Sequence, residues 1–377
     1  MATFRLRLSR TRSRLARRLG LRAVGGLSVL SLAVGCIGLT AAWLVGKTWG
    51  ALVAGEVLHA IVSVAVFMVT VAVGALCVGW LFAPTARPDG VRLPREAAES
   101  LHRLVDRMGS RFGGIAIDAV WVVGDMNAAI LQRPRWGWMG PMETHLMIGL
   151  PLAHSVSRRQ FSAILAHEFA HLALQRQGLH AWWGHLRAWW FRVLDRCIED
   201  MPRLGRVLER WSARDLHDAM RLSRLEEFEA DAMAAQIVGA RRVGEALVEV
   251  ALKERFLSED YWRKVMEQSR FTPQPSIRPF REMGLGVMAG FRRPMPGTVD
   301  IRGMFGGAAS EADFHPTLAE RLRVLGVMPA VPRGDSTSLA TTHLTPLLPT
   351  LAWIFDRAWW EDSRRDWRRR YEHARQA

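Results

Sequence analysis

His167, Glu168 and His171 lie in the run LAHEFAHLAL (165–174), in which every other residue is apolar. Three polar groups in a segment that reads as buried are costly unless something engages them. On an α-helix, residues four apart share a face. The two imidazoles therefore aim at one point and can grip one divalent ion. The pattern H-E-x-x-H does this in zinc peptidases, with the glutamate as general base. Catalytic zinc takes three protein ligands and keeps a fourth position open, so a third ligand must come from elsewhere. The acidic cluster EEFEAD (226–231) is the obvious source. Glu227 and Asp231 are four apart and share a face; Glu226 and Glu229 point elsewhere and are expected to be solvated. Spacing alone leaves open which carboxylate binds. The bland alternative is two satisfied core histidines and a salt-bridged glutamate. It explains poorly why apolar and ionisable groups alternate inside an amphipathic helix.

The surrounding elements must hold these groups. Ser157 with Gln160 three residues on is a capping box that opens the histidine helix, and Phe161, Ile164, Leu165, Phe169 and Leu172 give it apolar faces. Gly178 is expected to close it. GIAIDAVWVV (114–123) alternates and reads as a strand, RPRWGWMGPMETH (133–145) as a loop, and LMIGL (146–150) as a second strand. Glu96 to Met108 has helical spacing. Trp182, Trp183, Leu186, Trp189, Trp190, Val193 and Leu194 form a stripe, with Arg187, Arg192 and Arg196 around its other side. Such a helix either faces a core or lies in a membrane interface. A third helix is predicted from near Ser223 to Gly239 and another over 242–256. TPQPSIRPF (272–280) and RRPMPG (292–297) read as loops. FHPTLAERLRVLG (314–326) starts a helix with Pro316 near its first turn. Residues 346–355 are apolar but too few to span a bilayer, and the tail RRDWRRRYEHARQ (364–376) is strongly basic.

The chain has 377 residues, is 49% hydrophobic and carries a formal net charge of +15. Its mean hydropathy is still +0.03, because the apolar residues are concentrated. Residues 23–46 and 60–83 contain no charge. Each run is long enough to cross a hydrocarbon core of about 30 Å, and the first is longer than the apolar region of a signal peptide. Arg5, Arg7, Arg10, Arg12, Arg14, Arg17, Arg18 and Arg22 precede the first run. Arg87, Arg92, Arg95 and Arg103 follow the second, and the short link between holds only Lys47 and Glu56. The positive-inside rule then puts both termini, and everything after about residue 84, in the cytoplasm. The basic balance is expected to meet anionic lipid rather than nucleic acid, for which no recognisable module is present. Cys36, Cys77 and Cys197 form no C-x-x-C pair, so neither a disulfide framework nor a thiolate zinc site is indicated.

AHEFAH, followed by SRLEEFEAD and then HPTLAER, resembles the HtpX-like and CaaX-prenyl-protease-like family of membrane zinc metallopeptidases, which are H-E-x-x-H gluzincins. The resemblance covers roughly residues 114–326, including DMNAAI (125–130). It implies one zinc per chain held by His167, His171 and Glu227, with Glu168 taking the proton of the attacking water. It gives Asp231 the task of orienting a histidine ligand. His315 would donate to the developing oxyanion or close over the metal, and Arg321 would pair with a carboxylate near the site. Residues 146–150 resemble the edge strand on which related enzymes lay their substrate. The chain departs from the bacterial HtpX-like branch in one respect: residues 175–222 are amphipathic and charged where that branch has two further spans.

The expected organisation is α+β, mainly α: two N-terminal transmembrane helices followed by a zincin-like catalytic domain with a small sheet. A basic cytoplasmic arm (1–22) precedes a transmembrane hairpin (23–83) and a linker (84–95). The metallopeptidase domain (96–330) carries a Trp-rich insertion (176–222), and a basic tail (331–377) ends the chain. The expected activity is that of a zinc endopeptidase anchored in a bacterial cytoplasmic membrane, with protein or peptide substrates in or near the bilayer. A non-catalytic or chaperone-like zinc-binding scaffold is the alternative, and the intact Glu168 argues against it.

Overall fold

The computed structural model describes residues 2–135, 141–176, 179–292, 315–328 and 337–376. The chain divides into two units. One comprises residues 1–86, 134–141 and 175–225; the other comprises 87–133, 142–174 and 226–377.

In the first unit, α1 (Ala2–Val53) is one continuous helix of 52 residues. It overruns the uncharged run at both ends, because no proline interrupts it and its arginines and leucines are good helix formers. Lys47 is therefore helical and not part of a link. The link to α2 (Val57–Leu81) is three residues, with Gly55 at φ +76°, a conformation that suits glycine. Both helices are long and apolar enough to cross a membrane. Val29, Leu39, Leu58, Met68 and Val69 all point outward. These two helices suggest a membrane anchor. The tryptophan stripe lies on α6 (Leu179–Asp200). Leu186, Val193 and Cys197 are buried with Ala23, Leu27, Cys77 and Trp80, and Trp183, Trp189 and Trp190 pack against that cluster. Trp182 alone among the four stripe tryptophans is largely exposed. Trp189 donates its indole N–H to the Leu81 carbonyl at 2.7 Å, and Trp80 donates to Asp200 at 2.8 Å. α7 (Pro202–Val238) begins well before Ser223, with Pro202 at its first position, where the missing N–H costs nothing. Within residues 202–225, Asp215 and Asp218 pair with Arg22 and Arg18 of α1.

The second unit carries a four-stranded sheet. Its strands are β1 (Val91–Leu93), β2 (Ala119–Val123), β3 (Ala128–Pro134) and β4 (Met142–Gly149), in the order β1-β2-β4-β3. β1 runs antiparallel to β2. β2 runs parallel to β4, from Ala119 opposite His145 to Val123 opposite Gly149. The expected strand over 114–123 is pared to its last five residues. Much of the expected loop over 133–145 is instead strand, because ladder pairing overrides local turn chemistry; residues 136–140 lie outside the described set. β4 consequently sits between β2 and β3. The edge strands are β1 and β3, and β3 has Pro134 at its end, a position an edge strand tolerates. The reading of 146–150 as the edge strand is thereby corrected.

α3 (Glu99–Arg111), α4 (Leu150–Ser155) and α5 (Arg158–Gln175) pack with the sheet around Leu101, Leu146, Ile148, Phe161 and Phe169, all fully buried. Beyond α7 come α8 (Ala240–Phe256), a π-turn at Leu257–Tyr261, α9 (Trp262–Glu267) and α10 (Pro279–Arg292). α11 (Leu318–Leu325), α12 (Leu339–His343) and α13 (Leu348–Gln376) follow. Gly178, Phe314 and most of RRPMPG fall outside the described residues. The apolar residues 346–355 are used for packing: Leu351 and Phe355 enter the core. The basic tail continues the same helix. It is not wholly solvated, since Trp367 is buried and donates to the Thr272 carbonyl at 2.9 Å.

Candidate metal centre

α5 opens with the expected capping box. Gln160 accepts from the Ser157 backbone N–H at 2.8 Å, and Ser157 accepts from the Gln160 N–H at 3.4 Å. Phe161, Leu165, Phe169 and Leu172 anchor the buried face, which fixes the rotation of the helix and turns His167, Glu168 and His171 into a cleft. The Nε2 atoms of His167 and His171 stand 3.1 Å apart. The C-terminal part of α7 brings Glu227 to them: Oε2 is 3.4 Å from His167 Nε2, and Oε1 is 3.3 Å from His171 Nε2. Donor atoms of the three residues all lie within 4.8 Å of one another.

Geometry resolves what spacing left open. Asp231 reaches His167 from behind, its Oδ1 being 3.0 Å from Nδ1, whereas Glu227 stands on the Nε2 side that His171 shares. One turn of α7 thus separates a carboxylate in the donor cluster from a carboxylate that orients a ring. Arg321 of α11 ties the two together. It forks onto Asp231 at 2.8 and 2.7 Å, and its Nη1 is 3.3 Å from Glu227 Oε2. α11 is held in turn by a reciprocal capping box between Thr317 and Glu320. His315 lies at the cleft rim, with Nδ1 3.1 Å from Glu227 Oε1 and its side chain 72% exposed. Glu226 and Glu229 are half-buried, not fully solvated as expected, because α7 is packed over more of its surface than one apolar stripe suggests.

Electrostatics follows from this crowding. Burial pushes the Glu168 carboxyl up, against the pull of the two imidazoles, and the Ile130 backbone also hydrogen-bonds to it. Burial would raise Glu227 too. Contacts with His167, His171 and His315 and the nearby Arg321 overcome that and hold it far below the usual carboxylate range. Asp231 is likewise lowered, burial being outweighed by Arg321 and His167. Burial would lower His167, but Asp231 and Glu227 lift it to about 9. His315 is raised by its contact with Glu227.

A cleft of about 410 Å³ holds these groups. One side is Asn127 with Ala128 and Ala129 at the start of the edge strand β3; the other is Val243, Leu247, Val250 and Glu254 of α8. Gly149 keeps β3 in place. A Cβ there would come within 1.8 Å of the Asp125 carbonyl, and its N–H donates to Asn127 O at 2.7 Å. The α8 wall went unnoticed in the sequence, although its residues at 243, 247, 250 and 254 have helical spacing. Ile130 gave no sign either, since its contribution is a backbone group.

The donor set suits zinc. In a tetrahedron with bonds of about 2.0–2.1 Å, neighbouring ligand atoms lie about 3.3 Å apart, close to the 3.1, 3.3 and 3.4 Å found here. Glu227 Oε2 is buried and accepts no well-aligned hydrogen bond among the described residues; its neighbours are the Arg321 guanidinium at 3.3 Å and the His167 ring at 3.4 Å, so a cation at the donor cluster would give it a direct partner. The sequence pattern of peptidase family M48 matches residues 139–328, half of the chain, and spans every residue of this cluster. The chain belongs to peptidase family M48. Comparison with curated proteins finds no match, and comparison with solved structures finds none. Membership makes the chain a metallopeptidase-type hydrolase of a family whose members depend on zinc. Within that M48 segment lie both helices that carry the donors and the arginine that braces them.

Proposed function

We propose that this M48 chain is a membrane-anchored zinc endopeptidase that cleaves membrane or membrane-proximal proteins, with the peptidase unit on the cytoplasmic side of a bacterial inner membrane. The convergence of His167, His171 and Glu227 on one point beside Glu168 carries the reading. Zinc, when bound, would polarise the scissile carbonyl and make water a stronger acid.

The protein's own groups then have defined tasks. His167, His171 and Glu227 hold the ion. Asp231 accepts from His167 Nδ1–H, which leaves Nε2 as the donor atom and fixes the ring. Glu168 takes the proton of the attacking water and returns it to the leaving amine. Burial raises its pKa in the metal-free protein, towards the range in which a group that both accepts and donates works best. His315 at the rim is placed to donate to negative charge on the carbonyl oxygen. An extended substrate fits the open side of β3, whose edge borders the cleft, as an added strand. Charge asymmetry around α1 and α2 supports both termini lying in the cytoplasm.

The test is bound metal and cleavage of an unfolded protein by the detergent-purified chain. Glu168→Gln should keep zinc and lose activity by about 10²–10⁴-fold. Zinc retention with an inactive parent across conditions would favour a non-catalytic scaffold.

A further inference from the structure

We propose that the first unit holds one anionic phospholipid, drawn from the leaflet on the arginine side, in a groove between α1 and α6. The proposal rests on the membrane placement of α1 and α2. It goes further in assigning a built site for a single lipid.

The cavity measures about 910 Å³. Its floor is α1 from Gly25 to Ala33, and its walls are Trp190 and Val193 of α6. Glycines open the floor. At Gly25 an added Cβ would meet nothing within 4 Å, and at Gly26 it would strike the Trp190 ring at 2.5 Å. Gly26 thus lets the indole sit against the helix, and Gly25 leaves the groove empty beside it.

Three features point to one occupant. The first is length. From Arg22 to Ala33 is 11 residues, about 16 Å of helix, which matches one leaflet of a hydrocarbon core of about 30 Å. The second is charge. Arg22, Arg210 and Arg214 line one end, against the single carboxylate of Asp215. Arg22 is paired with Asp215, so a phosphodiester with a further negative or hydroxylated headgroup would meet Arg210 and Arg214 beside that pair, using the bidentate contact that arginine favours. The third is an orphan donor. Trp190 lines the groove, and its buried indole N–H has no hydrogen-bond partner among the described residues. Leaving such a donor unmet is costly. That N–H is covered in the lipid-free structure, so a small turn of the ring is needed for a glycerol-ester carbonyl, which sits just below the phosphate, to accept from it. The indoles of Trp80 and Trp189 are already engaged by Asp200 and Leu81, so the vacancy is specific to Trp190.

The experiment uses the full chain in mild detergent, stripped of lipid and titrated with phosphatidylglycerol or phosphatidylcholine under native mass spectrometry. The parent should bind one phosphatidylglycerol at least tenfold more tightly than phosphatidylcholine. Gly25→Leu, whose Cβ meets nothing within 4 Å and whose side chain would occupy the acyl path, should lose that binding. Arg210→Gln/Arg214→Gln should lose the headgroup preference. Equal affinity for the two lipids, or unchanged phosphatidylglycerol binding in Gly25→Leu, overturns the proposal. Alkaline carbonate extraction of cell membranes separates the two readings. A chain released by carbonate refutes the membrane anchor itself; a chain retained but with no preferred lipid refutes only the site.

Discussion

Replacing Arg321 with methionine removes the guanidinium that braces the candidate metal centre while keeping most of its volume. Arg321 gives two charge-assisted hydrogen bonds, at 2.8 and 2.7 Å, to Asp231, whose side chain is 1% exposed, and it also stands 3.3 Å from Glu227 and 3.4 Å from the His167 ring. Hydrogen bonds to charged partners contribute about 1.5–3 kcal/mol each. Breaking a buried pair by deleting one member costs about 3–5 kcal/mol, because the other charge is stranded. The two routes agree on a loss of about 4 kcal/mol in the metal-free protein. With a guanidinium chloride slope of roughly 4 kcal/mol per M, the unfolding midpoint of the second unit should fall by about 1 M, followed by circular dichroism in detergent. Arg321→Met/Asp231→Leu makes the test sharper. It replaces the pair by apolar side chains, so at least half of the lost stability should return. A single variant that loses less than about 1 kcal/mol, or a double variant no more stable than the single, would show that the brace is not what keeps these carboxylates ionised and in place.

Other outcomes follow from the same structure. Asp231→Asn leaves His167 Nδ1 with an amide in place of a carboxylate and should weaken zinc binding by about 10–100-fold in competition with a chelator dye. Gly149→Ala drives a methyl into the Asp125 carbonyl, so the segment 125–127 that leads into β3 must shift; we expect a destabilisation of about 1–3 kcal/mol and a larger fall in kcat/KM than in metal content. Burial holds His154 down at about 4, against 6.5 for a free histidine. The unfolded chain therefore binds the proton more readily, so this group's contribution is intact above pH 6.5 and fades as pH falls towards 4. That amounts to about 3 kcal/mol. His154→Gln should flatten the loss of stability between pH 6.5 and 4 in denaturant titrations, and equal slopes in variant and parent would contradict the account.

Much of the donor cluster was legible because its signals are local. H-E-x-x-H at helical spacing places His167 and His171 on one face whatever the fold, and the Ser157–Gln160 box marks where that helix starts. Glu227 against Asp231 was not decidable by spacing, since both share a face of α7. The distinction depends on which nitrogen of His167 each meets, and that is set by packing between helices distant in sequence. The sheet order was hidden for a similar reason. Residues 146–150 have the composition of a strand at any position, and only the insertion of β4 between β2 and β3 shows that the free edge starts at Asn127 and Ala128. Helix starts are hard to read where arginine-rich sequence carries no stop signal: α7 begins at Pro202, well upstream of Ser223, and the arginines before residue 23 continue α1.

The unbroken course of α1 has a mechanical consequence. A helix of 52 residues is about 78 Å long, more than twice the thickness of a bilayer's oily interior. Its arginine-bearing half and its apolar half turn as one shaft. A roll or tilt imposed by the surrounding lipid would therefore be felt by α6 and by the middle of the α7 stretch before Glu226, which contact it through Trp190, Asp215 and Asp218.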